Sequence, residues 1–124
     1  MQRNDVNDLI GTKELVSYAD FEAIDIRVGT IVAVRINEKA KKPAYILEID
    51  FGSEIGTKVS SAQITEGHAR ATLKGMQVVA VMNFPPKKVA DTVSEILVLG
   101  VVQSHGPTIL LMPALSVQNG STIL

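Results

Sequence analysis

The chain has 124 residues, a formal net charge of −1 and no cysteine. That length suits one domain with one core, and the lack of thiols excludes disulfides, thiolate chemistry and cysteine-ligated zinc. Hydrophobic residues make up 46%, too many for a disordered chain, and the near-neutral charge means that any anion site must be a local patch.

Aromatic residues are scarce, with no Trp, two Tyr and three Phe. The core must therefore be aliphatic, which favours strands. No apolar run approaches the ~18 residues of a membrane span. No apolar segment follows Met1–Asp5, as a secretory signal would require. The expectation is a cytoplasmic protein with no membrane insertion.

Residues 1–17 carry mixed charge and a weak helical pattern interrupted by Gly11, and read as an N-terminal extension. The domain proper is expected over residues 18–124. Ser17 and Asp20 are both candidate caps for a helical turn at Asp20–Ala23. From Ile24 to Ile36, the residues Ile24, Ile26, Val28, Val32, Val34 and Ile36 share one parity, with Ile31 the exception. That is the period of a half-buried antiparallel strand. A central Gly29 would let so long a strand bend and serve two halves of a barrel.

Asn37–Pro43 reads as a loop carrying Lys39, Lys41 and Lys42, with Arg35 just before it. Such a charge run is either a solvated face or a local anion patch. Tyr45, Leu47, Ile49 and Phe51 alternate with Ile46, Glu48 and Asp50, giving a second strand. Gly52–Gly56 is a turn, and Thr57–Ser60 opens a third strand. Thr65–Leu73 is a short helix candidate, capped by Thr65 and stopped at Gly75.

Gln77–Met82 is an apolar strand that Pro85 and Pro86 must end, because proline has no N–H for a ladder. Asn83-Phe84-Pro85-Pro86-Lys87-Lys88 is thus a stiff corner that presents two lysines beside a phenylalanine. It reads as a recognition loop on a rigid sheet, or as an ordinary exposed loop. Ala90–Ser94 forms a short link and Glu95–Val102 the next strand. Gly106–Pro107 is a turn, Thr108–Met112 a further strand, and Asn119–Gly120 a tight turn before the last residues. Three strands, a short helix and two more strands is the order of an all-β, five-stranded OB-fold barrel, with the helix between strands three and four and extra strands at the termini.

Catalytic signals are weak. His68 and His105 are the only histidines, and neither stands at metal-ligand spacing. Ser60 or Ser61 with His68 as base is a conceivable nucleophile pair, but serines that end a strand more often serve turns and hydrogen bonds. The chain reads as a binding protein without a cofactor, not as an enzyme.

Six blocks carry a resemblance. Asp20–Glu22, Asp25–Val32, Ile49–Gly52, Ser60–Thr65, Asn83–Val89 and Ser94–Gly100 together resemble the CsaA family of small secretion chaperones, within the wider tRNA-binding OB-fold family. The resemblance covers residues 18–124. It implies a homodimer that binds unfolded polypeptides or preproteins, with tRNA as the alternative ligand. In the wider family a lysine after the first strand contacts RNA, and Lys42 matches it. The asparagine, proline and lysine that follow the fourth strand match Asn83, Pro86 and Lys88. A serine-x-small-Met signature falls on Ser94–Leu97, where Ile96 and Leu97 depart from it. Val89-Ala90-Asp91 stands where the tRNA binders carry Met-Arg-Gly. These departures remove a basic residue and leave a more apolar floor. The expected binding set is Arg35, Lys41, Lys42, Asn83, Phe84, Pro86, Lys87, Lys88, Ser94 and Leu97. Apolar residues on both parities of Val98–Val102 and Ile109–Met112 leave surface that a homodimer would bury.

Overall fold

The longest element, strand β1 (Ile26–Ile36), is shared between two halves of a barrel. Its first half, Ile26–Thr30, pairs antiparallel with β4 (Gln77–Val81), and its second half, Thr30–Ile36, pairs with β2 (Tyr45–Asp50). Gly29 sits one residue before the change of partner at Thr30. A Cβ there would lie 2.7 Å from both Ile49 Cγ2 and the Phe51 ring, so only glycine lets the strand wrap this closely over the core. The computed structural model describes residues 13–124, so most of the expected extension over residues 1–17 lies outside the described residues.

The main sheet has the order β3-β2-β1-β4-β7, where β3 is Thr57–Ala62 and β7 is Leu97–Val98. It curls until β3 meets the segment before β7, giving a nearly closed five-stranded OB-type barrel. The closing seam uses side chains as well as backbone. Glu95 N–H donates to the Val59 carbonyl (2.8 Å), Val59 N–H donates to Glu95 Oε1 (2.9 Å), and Ser61 N–H donates to Ser94 Oγ (3.0 Å). Such partners satisfy an edge that would otherwise be open. Ile31, Leu47, Ile49, Phe51, Leu73 and Val78 fill the interior and are fully buried.

Several local expectations are corrected. The single-parity reading of β1 fails at a bulge between Ile31 and Ala33, where one extra residue breaks the register with β2. Ile31 is therefore fully buried while Val32 is 40% exposed. The first helix, α1, spans Tyr18–Glu22, with Ser17 as N-cap in a reciprocal capping box with Asp20. The second, α2, is only Arg70–Leu73, and Ala69 precedes it without a side-chain cap. Thr65 caps nothing, and Leu73 alone anchors this turn to the core.

The expected strand Glu95–Val102 is broken into β7 and β8 (Gly100–Val101), which belong to different sheets. β8 pairs with β9 (Ile109–Leu110), a shorter strand than the expected Thr108–Met112. The final segment returns to β1, where Arg27 and Thr122 form an isolated bridge and Gly120 N–H donates to the Val28 carbonyl (2.7 Å). Between this segment, α1 and β8–β9 lies an apolar depression of about 530 Å³. Val28, Val79, Leu99, Leu111, Met112 and Val117 are among its lining residues, and none of the lining residues is charged.

Candidate functional site

The proline corner positions the site. After β4 ends, Asn83 turns the chain under firm control. Its Nδ2 donates to the Ala23 carbonyl (2.8 Å) and its Oδ1 accepts from Asp25 N–H (2.9 Å). Both ends of the amide therefore hold backbone at the entry to β1, which fixes where Phe84, Pro85 and Pro86 stand. The strand resumes at once after the prolines. Lys87–Val89 is β5 and pairs with β6, Thr92–Ser94, so the expected loop lysines lie on a hairpin.

The hairpin sorts the two lysines. Side chains alternate along a strand, so Lys87 and Val89 share one face and Lys88 the other. Lys87, Val89 and Ser94 line a groove of about 410 Å³ together with Phe84, Pro85, Ile96 and Leu97. Lys88 pairs with Val93 across the hairpin and does not line this groove. Phe84 and Leu97 are 48% and 47% exposed, so large apolar groups face solvent at the groove. Ser94 Oγ, besides accepting from Ser61, donates to the Ile96 carbonyl (3.3 Å). Ile96, the departure from a small residue, is buried and forms the floor. On the other side of Phe84 and Pro86 lies a second depression of about 310 Å³ lined by Asp25, Arg27, Lys58 and Glu95 over Ile55 and Met82.

The first lysine loop comes to the same region. It connects β1 to β2, and Asn37 N–H donates to the Ala44 carbonyl (2.9 Å) across its neck. Lys39 reaches over and ion-pairs with Asp91 in the turn between β5 and β6, linking segments 52 residues apart in sequence. Lys41 and Lys42 are exposed without a described carboxylate partner. Arg35 is paired with Glu48 on β2 at 3.5 Å. Asn83, Phe84, Pro86, Lys87, Ser94 and Leu97 thus cluster at the corner. Arg35, Lys41, Lys42 and Lys88 lie outside the groove proper. The groove residues Ser61, Gln63, Pro85, Val89, Glu95 and Ile96 stand outside the expected binding set, and so does Asp91, the partner of Lys39; of these, Val89 and Asp91 belong to the hairpin and its turn. A hairpin at Val89–Thr92 would have shown both, but its turn lacks the usual glycine or asparagine, and Ala90 itself takes φ 55.

The serine–histidine pairing does not form. Ser60 is buried, with its hydroxyl on the Ser61 carbonyl, and His68 Nδ1 lies 3.2 Å from the Ile64 carbonyl.

A family model described as "Putative tRNA binding domain" matches residues 26–122. The fold also matches that of the chaperone CsaA of Bacillus anthracis, with a TM-score of 0.84 and 46% identity, covering 90% of this chain and 100% of that one. The chain belongs to the CsaA proteins of the tRNA-binding domain family. A second CsaA structure, from Picrophilus torridus, is 45% identical with a TM-score of 0.83, covering 89% of this chain and 100% of that chain. Among curated relatives, the methionine–tRNA ligase of Methanococcoides burtonii is 35% identical over 111 residues, 90% of this chain. This CsaA-family chain spans only 16% of that ligase's length, so the match lies within one part of a much longer protein. The barrel is thus of a kind shared with the tRNA-binding domain family, and no helix among the described residues is long and apolar enough to cross a membrane.

Proposed function

We propose that the chain is a cytoplasmic, homodimeric chaperone that holds unfolded or export-bound polypeptides in the groove beside the proline corner. The observation that carries this reading is the groove itself. It is an apolar trough of about 410 Å³ with half-exposed Phe84 and Leu97, and with Lys87 and Glu95 among its lining residues. An unfolded segment presents apolar side chains separated by polar backbone, and such a trough accepts the first while charged residues orient the second. Two prolines and the Asn83 clamp preorganise the corner, so little entropy is lost on binding. Similarity to a CsaA chaperone, 46% identical over 90% of the chain, supports the same reading.

A second reading, a tRNA-binding module, is favoured by the family match and by the lysines of the two neighbouring segments. Lys41, Lys42 and Lys88 would meet phosphates rather than the groove. Titration of a labelled unfolded peptide and of total tRNA, each at two salt concentrations, separates the two. The chaperone reading expects peptide affinity that falls less with salt than tRNA affinity does, because burial of apolar groups supplies most of it. Tight tRNA binding with no peptide binding would overturn it.

A further inference from the structure

We propose that Asp91 acts as a built-in competitor for phosphate, and so biases this surface away from nucleic acid. The inference rests on the reading of the two lysine segments as an anion-facing surface next to a polypeptide groove. Lys39, Lys41, Lys42, Lys87 and Lys88 lie on two segments that the Lys39–Asp91 ion pair joins. Asp91 is the only carboxylate described as bonded to any of these five lysines. Its carboxylate offers Lys39 what a phosphate oxygen would offer, at no cost in translational freedom.

Asp91 reaches Lys39 from a turn whose neighbour Ala90 takes φ 55, a region few non-glycine residues occupy. The two side chains remain 73% and 66% exposed, so the pair contributes little to folding. That exposure has a second consequence. Nothing in the surrounding packing needs Asp91, so its effect on ligands can be removed without unfolding the barrel. Arg35 stands in a similar relation to Glu48 at 3.5 Å, which leaves Lys41, Lys42, Lys87 and Lys88 of the two segments open to an incoming polyanion. One lysine of the patch is thereby withheld from RNA, whereas the apolar groove is untouched because neither Lys39 nor Asp91 lines it.

The test uses total tRNA and a labelled unfolded peptide, titrated from ~50 to ~200 mM salt against the parent, Asp91→Asn, Lys39→Ala, the double variant and Glu38→Gln. Glu38→Gln removes the same unit of charge from the β1–β2 loop, next to Lys39, without releasing a lysine. Asp91→Asn is expected to steepen the dependence of log K on log salt by ~0.7–0.9, one added phosphate contact, which is about a threefold gain at the low-salt end relative to the high. Lys39→Ala alone is expected to leave the parent's slope unchanged, and the double variant to return to it. Peptide affinity should not move in any of them. Equal effects of Asp91→Asn and Glu38→Gln would reduce Asp91 to general field and overturn the proposal. So would a flatter slope in Lys39→Ala alone, or absence of tRNA binding in every protein. The parent's peptide affinity decides the chaperone reading separately, so the two can fail independently.

Discussion

Two of the apolar depressions among the described residues differ in charge. The groove at the proline corner mixes Phe84, Val89 and Leu97 with Lys87 and Glu95. The larger depression between α1, β8–β9 and the final segment has only Ser121 and Thr122 as polar lining, and no charge. Charged residues make a surface that can be wetted again when a ligand leaves. An uncharged face of half-exposed Leu111, Met112 and Val117 has no such exit, and resembles the cores of permanent interfaces. The comparison teaches that exposed apolar area alone does not identify a ligand site. On the proposed reading, the charge beside it is what separates a reversible groove from a self-association face.

The largest expected effect tests the uncharged face. Leu111→Asp together with Val117→Asp should convert the proposed dimer to a 13.3 kDa monomer in sedimentation at micromolar concentration. Both side chains are already partly exposed in the single chain, so the monomer should still fold. In a dimer each aspartate would be buried without a partner, at a cost of about 3 kcal/mol or more, roughly a hundredfold in dissociation constant. A parent that already sediments as a monomer, or a variant that stays dimeric, breaks the comparison.

A smaller effect is expected at the charged groove. Lys87→Glu should weaken an acidic unfolded peptide by about tenfold, since reversing one charge near an exposed ligand charge changes the energy by on the order of 1 kcal/mol or more. Lys88→Glu points to the other face of the hairpin and should weaken the same peptide by less than about threefold. Both should melt within a degree or two of the parent, because exposed charges contribute little to folding. Equal losses from the two variants would mean that the hairpin acts by net charge and that the groove has no side.

How much of this was legible in the sequence depends on the range of the interactions involved. β2 could be read directly as a strand, because Tyr45, Leu47 and Ile49, with Phe51 just past its end, face one interior, although Ile46 on the other parity is buried as well. β1 could be read as a strand but not face by face. It changes partner at Thr30 and bulges after Ile31, and alternation cannot see either event. The barrel order followed from element order alone, whereas the closing seam through Ser94 and Glu95 did not. There, side chains replace ladder bonds between segments more than 30 residues apart. At the site, the proline corner and its lysines were visible because proline constrains its own neighbourhood. The role of Asn83 as a clamp on Ala23 and Asp25 and the Lys39–Asp91 pair were not, since each joins segments more than 50 residues apart in sequence.

The smallest effect concerns the lysines outside the groove, and it decides whether the two ligand classes share a surface. Lys42 is exposed on the loop between β1 and β2, and Lys88 lies on the outer face of the hairpin. If each meets one phosphate, Lys42→Ala and Lys88→Ala should each flatten the tRNA salt dependence by ~0.7–0.9. Neither should alter peptide affinity, because neither residue lines the groove. The slope is a better reading than the affinity, since a local contact changes it by a fixed increment while a loosened fold does not. A net charge of −1 makes the test sharp: with no general positive field, each lost contact must appear as a separate step. If the two variants flatten the peptide titration as much as the tRNA titration, a single surface serves both ligands and the charged groove extends over the hairpin. If neither slope changes, the loops are solvated faces and only the apolar groove remains as the site.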